Sequence, residues 1–218
     1  MQVPTQWATP VNVPVGWMRQ FRYIVRLFDR IKQIPGDIVE CGLGEGHTFA
    51  MLAYLTGSER AKPARMLWGF DSFEGWPEPT QYDQSPREPQ RGEWRVSEDH
   101  VRQRLENSLV KKEFPELDIR IVPGFFGETL PNFPDGAIAF LHLDCDLYTS
   151  YHDGLSYLFP KVARGGVILF DEYREFPQEY GGVEKWPGAT KAVDEYLAST
   201  GLPLQYDEET KKYYVIKK

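Results

Sequence analysis

Two hydrophobic rhythms alternate along the chain. Short continuous apolar runs occur at 38–39, 66–70, 119–122, 138–143 and 165–170, and each stops at an acid or a proline. Runs of that length, rich in Ile, Val, Leu and Phe, predict strands buried on both faces of a parallel sheet. Between them, apolar residues recur at helical spacing. Residues 17–34 carry Phe21, Ile24, Val25, Phe28 and Ile31 on one face and Arg and Lys on the other, a helix for the sheet or a partner subunit. Phe49, Leu52, Ala53 and Leu55 mark a second helix, and 98–109, opened by Ser97, a third with Val101, Leu105 and Leu109 inward. Helices over 150–159 and 188–197 follow, the last with Ala192, Val193, Tyr196 and Leu197 inward. Residues 204–206 and 213–216 flank the charged stretch 207–212 and read as a hairpin closing the sheet. Strands alternating with helices predict an α/β, doubly wound open sheet.

Four segments lack either rhythm. Residues 1–16 form an irregular arm and 57–64 a turn, while 73–97 and 174–187 are rich in Pro, Gly, aromatic and charged residues. A patternless stretch as long as 73–97 inside a compact domain is usually functional, and it is read as a lid on the substrate side.

Composition narrows the class. The 218 residues, 41% of them hydrophobic, suit one domain over 1–218 with a single core. A net charge of -7 leaves no basic footprint for nucleic acid or an acidic membrane surface. No run approaches the roughly 18 apolar residues of a membrane span. Two cysteines, Cys41 and Cys145, in no metal-ligand spacing, fit a reducing cytoplasm. Aromatics, at 14% with six Trp, crowd the irregular segments, where they serve as lids over a ligand or as oligomer contacts.

The chemistry gathers where strands end. Ile38 and Val39 lead into Glu40, then Gly42, Gly44 and Gly46 at every second position, then His47, Thr48 and a helix. Glycines at such a turn let backbone approach a ligand, and the helix offers unpaired N–H groups. An acid at the strand end suits an amino group or ribose hydroxyls better than a pyrophosphate. The spacing also departs from the G-x-G-x-x-G dinucleotide fingerprint, so it reads as the S-adenosylmethionine loop of a class I methyltransferase. Asp71, closing the second strand with Ser72 and Phe73 behind it, is the ribose candidate or a turn cap. Gly124 and Phe125, after the third strand, fall beside the adenine or form an ordinary Pro-Gly turn. Asp144 and Asp146 follow one buried strand, and Asp171 and Glu172 the next. Ligands of open parallel sheets bind at the carboxyl ends of strands. Four acids at one such edge repel one another, which calls for a hard divalent cation, Mg²⁺ ahead of Ca²⁺ or Mn²⁺.

The segments 39–48, 69–77, 122–131, 141–150, 165–173 and 187–197 resemble, in order, the macrocin/mycinamicin O-methyltransferase family. The D-x-D-x-Y at Asp144 to Tyr148 and the D-E-Y at Asp171 to Tyr173 are the specific part. Cys145 and Glu172 depart from the family's glycine and second aspartate. The resemblance implies a class I methyltransferase sheet in the order 3-2-1-4-5-7-6 with the last-added strand antiparallel. It also implies S-adenosylmethionine, one Mg²⁺, a hydroxylated small-molecule acceptor such as a sugar, and a homodimer or higher oligomer. Carried over by position, Glu40 and Gly42 meet the methionine part of the donor, Asp71 the ribose, and Gly124 and Phe125 the adenine side. Asp144, Asp171 and Glu172 hold the metal, and Asp144 also borders the donor. Asp146, two residues past a ligand, is the first choice of general base, with His142 and His152 in reserve, although His142 within a buried strand also reads as a core histidine. Three rival functions stay open: O-methylation of a catechol-like aryl diol, a glycosyltransferase using Asp144-x-Asp146, and a non-catalytic binding protein.

Overall fold

The computed structural model describes residues 15–59 and 64–218; residues 1–14 of the predicted arm and the centre of the predicted 57–64 turn lie outside them, and the last two residues predicted for the arm open a helix. Five parallel strands, β1 (Asp37–Cys41), β2 (Leu67–Asp71), β3 (Ile119–Pro123), β4 (Ile138–Leu143) and β5 (Val162–Phe170), are joined by the hairpin β6 (Gln205–Asp207) and β7 (Lys212–Ile216). They form one sheet in the order β3-β2-β1-β4-β5-β7-β6. β7 runs antiparallel to both β5 and β6. All six residues of β4 are buried, as a central strand covered on both faces requires.

The pleat sorts side chains to two cores. Ile38, Phe140, Val167 and Leu169 face helices α1 (Val15–Arg30), α2 (His47–Ser58) and α3 (Glu98–Asn107). Val39, Leu141, Ile168 and Phe170 face α6 (Tyr148–Leu158) and α7 (Pro187–Ala198), joined by the short helix α5 (Phe126–Thr129), while the short helix α4 (Val110–Glu113) joins the first core through Val110. Helix α1 therefore lies on the sheet, and its buried stripe is Tyr23, Ile24, Leu27 and Phe28. The stripe predicted through Phe21 and Val25 is rotated, because Tyr23 and Leu27 complete the i, i+1, i+4, i+5 row that meets Phe140.

Other boundaries also shift. α1 spans Val15–Arg30 rather than 17–34, and α2 runs through Ser58 into the predicted turn. The predicted 98–109 helix breaks at Leu109, whose φ of 60 interrupts it before α4. β5 begins three residues earlier than expected, and α6 two residues earlier. Residues 73–97 stay irregular but are wired down. Asp83, itself 3% exposed, accepts from Thr80 N at 2.7 Å and from Tyr148 N at 2.8 Å, which ties the segment to the start of α6.

Arg65, 7% exposed, joins α1 to the sheet. Its guanidinium donates to the carbonyls of Ile31 (2.8 Å), Ile34 (2.7 Å) and Gly36 (2.6 Å), and pairs with Glu59 at 2.7 Å. These carbonyls follow the end of α1, and among the described residues only that of Ile31 also accepts a backbone bond, from Ile34 N at 2.8 Å. Arg65→Met removes the donor from the Ile34 and Gly36 carbonyls and leaves the Glu59 carboxylate unpaired, and is expected to lower stability by about 3–5 kcal/mol in urea unfolding followed by circular dichroism.

Candidate active site

The carboxyl ends of β1, β2, β4 and β5 open into one cavity of about 640 Å³. Gly42, Leu43, Gly44, Glu45, His47 and Thr48 supply one wall, Asp71 and Ser72 the next, and Phe125 and Phe126 a third. Asp144, Asp146, Asp171 and Glu172 line the floor, and Trp76, Arg87, Trp94, Lys185 and Trp186 the far side.

The glycine loop is pressed onto the next strand end. Gly42 has φ 87, and a Cβ there would lie 1.7 Å from the Asp144 carbonyl oxygen. Only glycine permits that approach. Asp71 then braces the loop: Oδ2 accepts from Leu43 N at 2.7 Å, and Oδ1 from Phe73 N at 2.7 Å. Oδ2 also accepts a longer bond from Gly44 N at 3.4 Å. Asp71 thus acts as a turn cap and still faces the cavity, and Oδ1 retains a lone pair for a ligand hydroxyl. His47 is fixed as well. Arg104 can only donate, so its 2.9 Å contact makes Nδ1 the acceptor and Nε2–H the donor to Glu45 at 3.1 Å. Burial and the Arg104 charge lower the His47 pKa, in keeping with a neutral ring. The Trp17 ring of α1 meets it edge-on at 3.8 Å.

On the floor, Asp144, Asp171 and Glu172 each bring one oxygen within 4.8 Å of the others. Strand geometry does this: Asp144 N donates to Cys41 O at 2.9 Å and Asp171 N to Leu143 O at 3.0 Å, so the ladder carries each acid just past its strand. Glu172 Oε2 accepts from Tyr151 Oη at 2.6 Å and from the Cys145 and Asp146 amides at 3.2 and 3.3 Å. Burial, followed by Asp171 beside it, pushes the Asp144 pKa up to about 7. Glu172 is raised as well, by burial first and then by the like charges of Asp144 and Asp171. Burial also works against ionisation of Asp171, but Lys212 and His142 outweigh it and hold that carboxyl below the usual range. An all-oxygen donor set whose members repel one another fits a hard divalent cation.

Asp146 stands apart from that trio. It adopts φ 62, and its Oδ2 accepts from Trp76 Nε1 at 2.9 Å. Burial and the Glu172 charge raise its pKa well above the ordinary carboxylate value.

Several predicted residues are not on the cavity wall. Glu40 and His142 are buried beneath the floor, bonded to each other at 2.9 Å between Oε1 and Nδ1. β1 pairs with β4 in a register that sets Glu40 against His142, and the pleat turns both toward the α1 face. His142 is thus built as a core residue, with its Nε2 3.9 Å from Asp171 Oδ1. Gly46, Phe73 and Gly124 shape the turns without lining the cavity; Gly124 N donates to Asp71 O at 2.9 Å. His152 lies exposed on α6 beside Asp153.

Sequence reasoning missed Trp17, Gln20, Trp76, Trp186 and Lys212. Trp76 and Trp186, one from each long irregular segment, meet edge to face at 5.3 Å and join the segments beside Asp146. Lys212 had a readable signal, because the predicted hairpin places it one residue before Tyr213, the partner of Phe170, and so opposite Asp171.

Sheet order, the antiparallel β7 and the glycine loop define a class I methyltransferase fold. Residues 16–201 match the family described as Macrocin-O-methyltransferase (TylF), and the chain belongs to that family. It is 30% identical over 169 residues to a demethyldecarbamoylnovobiocin O-methyltransferase of Streptomyces niveus, covering 75% of this chain and 63% of that protein. It is 32% identical over 145 residues to an 8-demethyl-8-(2,3-dimethoxy-alpha-L-rhamnosyl)-tetracenomycin-C 4'-O-methyltransferase of Streptomyces olivaceus, covering 64% and 54%. The matches therefore span less than two thirds of either relative. Among solved structures, the O-methyltransferase NovP superposes with a TM-score of 0.73 at 27% identity, over 92% of this chain and 80% of that one.

The Asp71 brace is testable without any ligand. Asp71→Ala leaves the Leu43 and Phe73 amides unpaired and is expected to cost about 2–4 kcal/mol, whereas Asp71→Asn keeps one acceptor and costs about half as much, both read from urea midpoints.

Proposed function

We propose that this protein is an S-adenosylmethionine- and Mg²⁺-dependent O-methyltransferase acting on a sugar hydroxyl of a natural product or its precursor. The observation that carries the reading is the shared cavity, where the Gly42–Thr48 loop and Asp71 face the Asp144, Asp171 and Glu172 carboxylates. Family membership supports the chemistry, and the rhamnosyl acceptor in the name of one relative supports the acceptor class.

In this reading the backbone of Gly42 to Gly44 and the Asp71 carboxylate bind the donor, and Phe125 and Phe126 flank its base. Asp144, Asp171 and Glu172 would hold the divalent ion, which supplies Lewis acidity toward vicinal hydroxyls. The sulfonium makes the methyl electrophilic, so the protein's task is to align an acceptor oxygen and remove its proton. Asp146 takes that proton on Oδ1, while Trp76 keeps Oδ2 in place. Burial and the Glu172 charge raise the Asp146 pKa, so a proton received there is held more tightly than on a solvated carboxylate. The new bond is acceptor oxygen to methyl and the broken bond is sulfur to methyl; the products are S-adenosylhomocysteine, the methyl ether and a proton on Asp146. Trp76 and Trp186 close the far side and exclude water from the donor.

Incubation with S-adenosylmethionine, Mg²⁺ and a panel of deoxysugar glycosides and nucleotide-linked deoxysugars tests this by mass spectrometry. A gain of one methyl, abolished by EDTA and restored by Mg²⁺, is expected; no binding of S-adenosylhomocysteine in calorimetry would sink the reading. Asp146→Asn should lower kcat by about 10²- to 10⁴-fold and leave S-adenosylhomocysteine affinity within about twofold.

A further inference from the structure

Asp171 is already occupied. Its Oδ1 accepts from Gln20 Nε2 of α1 at 3.2 Å. Its Oδ2 accepts from Lys212 Nζ at 2.9 Å, and the same ammonium donates to the Asp171 carbonyl at 2.6 Å. The contact is a consequence of register: β5 and β7 pair Phe170 with Tyr213, so the next residues outward, Asp171 and Lys212, face each other. Both side chains are 21% exposed, so water screens the pair only in part. Lys212 lines the cavity and bridges to no other acid among the described residues. A shortage of positive charge is visible nearby, where Glu40 Oε2 is buried without any partner and lies in a group with His142 and Asp144.

Lys212 thus stands where a cation is called for, bound to one of the three carboxylates that converge there. We propose that Lys212 is an internal counter-ion that competes with the divalent cation for Asp171, keeping the acid cluster assembled when the cation is absent and making cation binding weak and exchangeable. The inference rests on the reading above, in that the cation binds at Asp144, Asp171 and Glu172. For Asp171 to serve as a ligand through Oδ2, its ammonium contact must be given up, and that loss subtracts from cation affinity. Conversely, removing the ammonium leaves a partly buried carboxylate unpaired, which destabilises the cation-free protein and favours the cation-bound one.

Calorimetric titration of Mg²⁺ into wild type, Lys212→Met, Lys212→Gln and Lys212→Arg, with S-adenosylhomocysteine titrated in parallel, tests this. Lys212→Met is expected to bind Mg²⁺ at least tenfold more tightly than wild type. It should melt at a lower temperature without Mg²⁺ and recover when Mg²⁺ is added, with S-adenosylhomocysteine affinity changed by less than twofold. Lys212→Gln, which keeps a donor for the Asp171 carbonyl, should tighten Mg²⁺ in the same direction and supplies the result if the methionine variant does not fold. Lys212→Arg should stay near wild type. Unchanged Mg²⁺ affinity in the neutral variants overturns the inference, as does weaker affinity, which would make Lys212 a support for Asp171 rather than a competitor. S-adenosylhomocysteine binding without Mg²⁺ binding in any form overturns it too and leaves the methyltransferase reading standing; failure of wild type to bind S-adenosylhomocysteine sinks that reading instead.

Discussion

Like charges forced together at the edge of a parallel sheet govern this molecule. Three strands that must be apolar to be buried, β1, β4 and β5, each pass from hydrophobic core to acid at the same level, and the hydrogen-bond ladder leaves those acids no freedom to separate. Asp144 and Glu172 answer by holding their protons more tightly, Asp171 by recruiting Lys212 and Gln20, and Glu40 by sharing His142. Lys212 and His142 were placed by strand register and the pleat, and Gln20 by helix α1. The acids are therefore gathered by the sheet, while α1 and α6 add Gln20 and Tyr151 as partners to them.

The bracing of the glycine loop comes from the same source. Gly42 touches the Asp144 carbonyl and Asp71 bonds the Leu43 amide, which ties the β1, β2 and β4 ends together. The far side of the cavity is built differently. Trp76 and Trp186 come from long irregular segments that are held by side-chain contacts: the Asp83 carboxylate, the edge-to-face indole pair, and Arg87 at 5.0 Å over Trp76.

Much of this was legible before any coordinates. The strands announce themselves as unbroken apolar runs, because burial on both faces removes the alternation that would otherwise be needed. Their order followed from resemblance, and the acids at their ends from reading one residue further. The convergence of Asp144 with Asp171 was expected from a general rule, that ligands sit at the carboxyl edge, rather than from any local pattern.

Other features had no linear signature. Whether Glu40 and His142 reach the cavity depends on which way the pleat turns at the last residue of a strand, and both point to the α1 side. The buried stripe of α1 was misjudged by a rotation about the helix axis, since both Phe21 and Tyr23 carry rings that can be buried and only docking on the sheet, Phe28 against Phe140 and Tyr23 against Tyr214, chooses between them. The meeting of Trp76 with Trp186 joins segments more than a hundred residues apart, and no spacing rule connects them. Local periodicity and chain chemistry were enough to define the elements and the acids that end them, because those depend on a residue and its near neighbours. Which acids face the ligand, and which cation answers them, was settled by strand register and helix rotation, because those depend on contacts between distant parts of the chain.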